Sequence, residues 1–96
     1  MKRVAYVIGH VTVKDEQRWA EYRSRVPATL LECGGELVMR GERRAVWDGE
    51  HHHTDTVMLR FPDLDAATCW HESAAYQALI PLRHEAAEVD LIVFEG

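Results

Sequence analysis

A chain of 96 residues has room for one hydrophobic core, and folding at this length buries roughly 60 to 70% of the surface the unfolded chain exposes, so a single domain over residues 1–96 is expected. With 11 basic against 16 acidic side chains the formal charge is −5, which excludes the broad basic field that holds a phosphate backbone, and no nucleic-acid partner is expected. Cys33 and Cys69 form no CxxC pair, which excludes a zinc ribbon or a local dithiol redox motif and leaves reduced thiols in a cytoplasmic protein as the expectation.

The chain begins MKRVAYVIGHVTV, a basic pair followed by an apolar run. The run alternates with Tyr6, His10 and Thr12, has no small-residue cleavage site and is too short to cross a bilayer, so it reads as a strand over residues 4–13 and not as a leader or membrane span. Asp15 is placed to cap a following helix. Along that helix Trp19, Tyr22, Val26 and Leu30 recur at spacings of three and four and form its apolar side. Pro27 lacks an N–H and crowds the carbonyl four residues earlier, so a kink is expected there, and Gly34 with Gly35 ends the helix.

Two short extended pieces follow, residues 36–40 and 45–47, separated by the charged turn GERR, and then a stronger strand over residues 56–61. The histidine run of GEHHHTDT lies in the connection before that strand. Asp63 caps a second helix in which Ala66, Ala67 and Trp70 face inward, Ser73 recaps a shorter turn, and Pro81 suits the start of another turn through Ala87. A closing strand is read over residues 90–95. The order β-α-β-β-α-β is the ferredoxin-like α+β pattern with an antiparallel sheet.

Alternation divides the strands into two faces. One collects Ala5, Val7, Val11, Val13, Leu37, Met39, Val57, Leu59, Phe61, Leu91 and Val93, and the helices should cover it. The other carries Tyr6, Ile8, His10, Val38, Met58, Ile92 and Phe94 among Thr12, Arg40 and Arg60, with no helix left to shield it. At about 25 cal/mol per Å² of apolar area buried, covering that second face with another sheet is favourable by many kcal/mol. A homodimer joined sheet to sheet is therefore expected, against a monomer with one wet face.

The segments AYVIGHVTVKD, Trp19 with Tyr22, Pro27, GG before a strand, Arg40-Gly41, RFP, Trp70 through Ser73 to Tyr76, and Pro81-Leu82-Arg83 follow one another in an order and spacing that resembles the family called domain of unknown function 1330, over nearly the whole chain. The resemblance implies a dimeric α+β barrel, in which two ferredoxin-like sheets share a barrel with helices outside. Proteins with that barrel include cofactor-free oxygenases, isomerases, dehalogenating enzymes and haem proteins, so the fold does not select an activity. The histidine run is a departure from the family, whose members often carry Trp or Pro in that connection.

Function must therefore come from side chains. Three adjacent residues in an extended segment cannot all aim at one ion, so His51 and His53 could share a side with His52 turned away, and the run reads as an exposed polar loop with no metal site. Cys69, His71 and His84 do not share a helix face either. The ligand-pocket candidates are Tyr22, Trp70, Tyr76 and Arg83 on the helical side, with His10 and Arg40 from the sheet. Each has a plainer reading as core or as a salt-bridged side chain, Arg83 with Glu85 and Arg40 with Glu36. Together they offer a planar fork for a carboxylate, phenol donors and a general base near neutrality, though the sheet separates His10 from the helical group. GxSxG and GxGxxG are absent, and no motif requires a cofactor. The expected function is binding of a small organic molecule with a cofactor-free oxidation or isomerisation; the alternative is a non-catalytic binding or accessory protein whose same residues stabilise the dimer.

Overall fold

The computed structural model describes residues 3–96, which form β1 (Ala5–Val13), α1 (Glu16–Leu30), a 3-10 turn (Leu31–Cys33), β2 (Glu36–Glu42), β3 (Asp55–Phe61), α2 (Leu64–Glu72), α3 (Ala74–Gln77), α4 (Ile80–Ala86) and β4 (Ala87–Glu95). The strands make one antiparallel sheet in the order β2-β3-β1-β4. This is the ferredoxin-like α+β arrangement that the apolar periods predict. Among the described residues no helix is long and apolar enough to cross a membrane.

Local chemistry sets the helix ends. The Asp15 carboxylate accepts the backbone N–H groups of Gln17 and Arg18, both at 3.1 Å, and Asp63 accepts that of Ala66 at 2.8 Å. Ser73 closes α2 in an extended conformation and its hydroxyl accepts from the Tyr76 N–H at the start of α3. Gly34 takes the left-handed conformation at φ 69, where a side chain would be strained. The interruption expected at Pro27 does not divide α1, because Arg23 and Pro27 are both exposed and the carbonyl deprived of a donor lies on the solvent side.

Two strand boundaries differ from the sequence reading. The turn expected at GERR is instead the end of β2, since Gly41 pairs with Thr56 and Glu42 with Asp55. Residues 45–47 are not a strand, and Trp47 is 93% exposed. β4 starts at Ala87, three residues before the expected position, because Ala87, Glu88 and Val89 pair with Val13, Thr12 and Val11 at the far end of β1.

A β-bulge changes the face assignment of β2. Leu37 pairs with Leu59 but Met39 pairs with Met58, so Val38 and Met39 together oppose one residue. Met39 therefore turns to the outer face, and Arg40, opposite Val57, turns to the helical face. Both positions reverse the simple alternation.

The core joins Ala5, Val7, Val11, Leu59 and Phe61 of the sheet to Trp19, Tyr22, Leu30, Ala67, Trp70 and Tyr76 of the helices and to Leu79 between α3 and α4. The helical cover is incomplete at its margins: Leu37 on the edge strand and Val93 near the end of β4 are about half exposed, where full burial was expected. On the outer face Val38, Met39, Ile92 and Phe94 are exposed, with Ile8 and Met58 half-buried between them.

Candidate functional site

On the helical side, three of the candidates form a chain. The Tyr22 and Tyr76 hydroxyls lie 2.8 Å apart, and Arg83 Nη1 donates to the Tyr76 oxygen at 2.8 Å. Helical spacing on α1 turns Tyr22 inward, and α3 and α4, set by Ser73 and Pro81, bring Tyr76 and Arg83 to it. Burial, reinforced by the neighbouring Tyr76, pushes the Tyr22 phenol far above its ordinary range, so it stays a neutral donor. Arg83 Nε is buried and, among the described residues, has no hydrogen-bond partner. Trp70 is wholly packed: its indole N–H donates to Thr29 Oγ1 at 2.9 Å and its ring lies 4.1 Å from that of Tyr76.

The expected salt-bridge partners of the two arginines are occupied elsewhere. Glu85 pairs with Arg18 at 3.2 Å, and Glu36 pairs with Arg60. Arg40 has no ion-pair partner among the described residues. The bulge carries it to the mouth of an apolar cavity of about 60 Å³, whose wall includes Tyr22, Val26, Leu37, Val57, Leu59 and Trp70, with Arg23 beside it. Burial, and then the like charge of Arg23, weighs against the charged form of Arg40. A second cleft, about 250 Å³, runs between α2 and β4 and shares Trp70 and Leu91 with the first.

His10 is on the opposite face, where Nδ1 lies 3.2 Å from Thr56 Oγ1, so it does not join the tyrosine group. It faces the histidine run instead, with its ring centre 4.8 Å from that of His51. The run is only in part the exposed loop expected, since His51 and His52 are exposed and His53 is not. His53 is only 3% exposed, with Nδ1 at 2.9 Å from Thr12 Oγ1 and Nε2 at 2.8 Å from Asp90 Oδ2. Nor does His52 turn away: its ring centre is 4.0 Å from that of His53, and one ligand atom each from His52, His53 and Asp90 fall within 4.8 Å of one another. The reversal has a clear cause, since Arg43 Nη1 donates to the His51 and His53 carbonyls and Thr54 N–H donates to Val11 O, which folds the segment onto β1. The hydrogen bond from His53 holds the Asp90 carboxyl below its ordinary value, and desolvation, with the nearby His10, His53, Arg43 and His52, lowers the His51 imidazole.

Thr12, Thr29 and Asp90 were not among the candidates. Asp90 could have been found, because it lies two residues before Ile92 on the same strand face and its register partner is His10. The two thiols, far apart in sequence, meet where the 3-10 turn crosses α2, with Sγ atoms 2.9 Å apart. The contact with Cys69 pushes the Cys33 thiol up to about 11.

A family model described as "Domain of unknown function (DUF1330)" matches residues 4–96. Among solved structures, the chain is similar to a protein of unknown function from Rhodopseudomonas palustris, with a TM-score of 0.83, 15% identity, and 100% of this chain and 84% of that one covered. It is similar to a dimeric ferredoxin-like protein of unknown function from Jannaschia sp. CCS1, with a TM-score of 0.78 and 14% identity over 97% of this chain and 99% of that one. It is also similar to SnoaB, a cofactor-independent oxygenase from Streptomyces nogalater, with a TM-score of 0.69 and 13% identity over 100% of this chain and 94% of that one. At these identities the likeness concerns the fold. No curated protein matches the chain by sequence.

Proposed function

The chain belongs to the domain of unknown function 1330 family, and from that premise we propose that it is a homodimer, joined through the outer sheet face, that binds a small organic anion on the helical side of each sheet. The observation that carries the ligand reading is the meeting of Tyr22 and Arg40 at one apolar cavity. A guanidinium without a carboxylate partner at the mouth suits a carboxylate or enolate oxygen, and the apolar wall suits the rest of a small aromatic or acyl compound.

The hydrogen-bond chain supplies directionality. Arg83 can only donate, so the Tyr76 oxygen accepts; in the arrangement in which Tyr76 in turn donates to Tyr22, the Tyr22 proton is left for a ligand oxygen. A neutral phenol so polarised by a cation stabilises charge developing on a carbonyl oxygen. Holding an oxygen in that way suits a ligand acidic enough to enter already ionised as its enolate, and serves either isomerisation by reprotonation from water or cofactor-free oxygenation with dioxygen as the oxidant, oxygenation being the activity named for SnoaB. Trp70 bounds the cavity and His10, across the sheet, takes no part in this chemistry.

Two observations favour the non-catalytic reading. The cavity, about 60 Å³, is well below the roughly 300 Å³ of an ordinary ligand pocket, and the Tyr22–Tyr76 contact already engages each hydroxyl with the other. The readings separate in a thermal-shift screen of aromatic acids, short acyl acids, quinones and the methyl esters of the acids, followed by oxygen uptake with any hit. The proposal expects acids to raise the melting temperature above their esters, and Arg40→Gln to abolish the difference. A flat response to every class leaves the accessory reading.

A further inference from the structure

We propose that His52, His53 and Asp90 form a binding site for one divalent transition-metal cation of the imidazole-seeking class, zinc or nickel. The site lies at the end of the outer sheet face and does not depend on the pocket described above. Two imidazoles and a carboxylate are the donor set such ions prefer, with a position left open for water, whereas calcium and magnesium seek oxygen alone.

The geometry is close to that of a loaded site. Ligands held tetrahedrally at about 2.1 Å from one ion stand about 3.4 Å from each other, so His53 Nε2 and Asp90 Oδ2, 2.8 Å apart, need open by only about half an ångström. The proton shared between Nε2 and the carboxylate would move to Nδ1 of the ring, leaving the Nε2 lone pair and the carboxylate oxygen to the ion. His52, exposed and with its ring tilted against that of His53, needs only a small ring movement to close the set, whose ligand atoms already lie within 4.8 Å.

His53 is also supported as a ligand from behind. Its Nδ1 lies 2.9 Å from Thr12 Oγ1, so an Nδ1–H can donate to the threonine oxygen while the Nε2 lone pair turns to the metal. The backbone around it is held before any ion arrives, by Arg43 on the His51 and His53 carbonyls and by Thr54 on Val11. An open depression of about 450 Å³ over the three ligands gives access, with Glu88 and His84 on its rim. Lys14, also on the rim, has its ammonium engaged by the His84 carbonyl at 2.8 Å.

The test uses the full chain without an affinity tag, stripped by chelator and titrated with zinc and nickel chlorides by calorimetry, and with cobalt chloride by absorption. Wild type is expected to bind one ion per chain at micromolar concentration. His52→Ala and Asp90→Asn should each weaken binding by about tenfold or more. Asp90→Asn keeps an acceptor for His53, so a melt that stays cooperative at neutral pH distinguishes a lost ligand from a lost fold. His71→Ala, on the exposed side of α2, should bind as wild type does. Binding that survives both substitutions, that falls equally in His71→Ala, or that is absent at micromolar concentration overturns the assignment.

Discussion

The hydroxyl oxygens of Tyr22 and Tyr76, 54 positions apart in sequence, lie 2.8 Å from each other in a region where Tyr76 has no exposure to solvent. Arg83 donates to the same Tyr76 oxygen. Removing that oxygen strands a cationic donor and a phenol together. Tyr76→Phe should therefore cost about 2 kcal/mol, and Tyr22→Phe about 1 kcal/mol. The double variant should fall short of the sum by about 0.5 to 1 kcal/mol, because the two changes remove one shared bond. Urea melts of the four proteins check this, and strict additivity would show that the contact carries no energy.

The outer face predicts the assembly. Ile8 and Ile92 are register partners in the middle of β1 and β4, on the face that no helix covers. Ile8→Asp or Ile92→Asp places a charge there, which a solvated face tolerates and a dry sheet-to-sheet interface does not. Sedimentation equilibrium should return twice the 11.0 kDa chain mass for wild type and single-chain mass for both variants. Wild-type protein that sediments as one chain at every loading would remove the dimer.

The cysteine pair gives a redox prediction. With sulfurs 2.9 Å apart and Cys69 exposed, one equivalent of hydrogen peroxide should join them, two thiols and one peroxide giving a disulfide and two waters. The raised Cys33 thiol makes Cys69 the first sulfur to react, so Cys69→Ser should slow peroxide consumption more than Cys33→Ser does. Peptide mapping should find a 33–69 crosslink within monomeric chains. Crosslinks only between chains would contradict the observed contact.

Acid stability follows from Asp15 and Asp90, both held below their ordinary value of 3.8, Asp15 by the backbone N–H of Arg18 and Asp90 by His53. A lowered folded-state value means stability that is complete above 3.8 and lost as pH falls through the lower value. Asp90→Asn should flatten the decline below pH 4, measured as melting temperature against pH. An unchanged slope would mean that the His53–Asp90 contact does not persist in solution.

The sequence by itself determined the presence of the four main strands, though not the end of β2 or the start of β4, with the caps at Asp15, Asp63 and Ser73 and the apolar side of α1, because each rests on neighbours within a few residues and on periods of two or near 3.6. It also placed Tyr22, Trp70, Tyr76 and Arg83 on one side of the sheet. Only the tertiary structure decided which side Arg40 faces, since a bulge of one residue at Val38–Met39 inverts every alternation beyond it and leaves no mark in composition. The same holds for His53 and Asp90, and for Cys33 and Cys69. Their meetings are long-range contacts, fixed by strand register and by where helices cross, and a one-dimensional pattern carries no information about distance across the sheet.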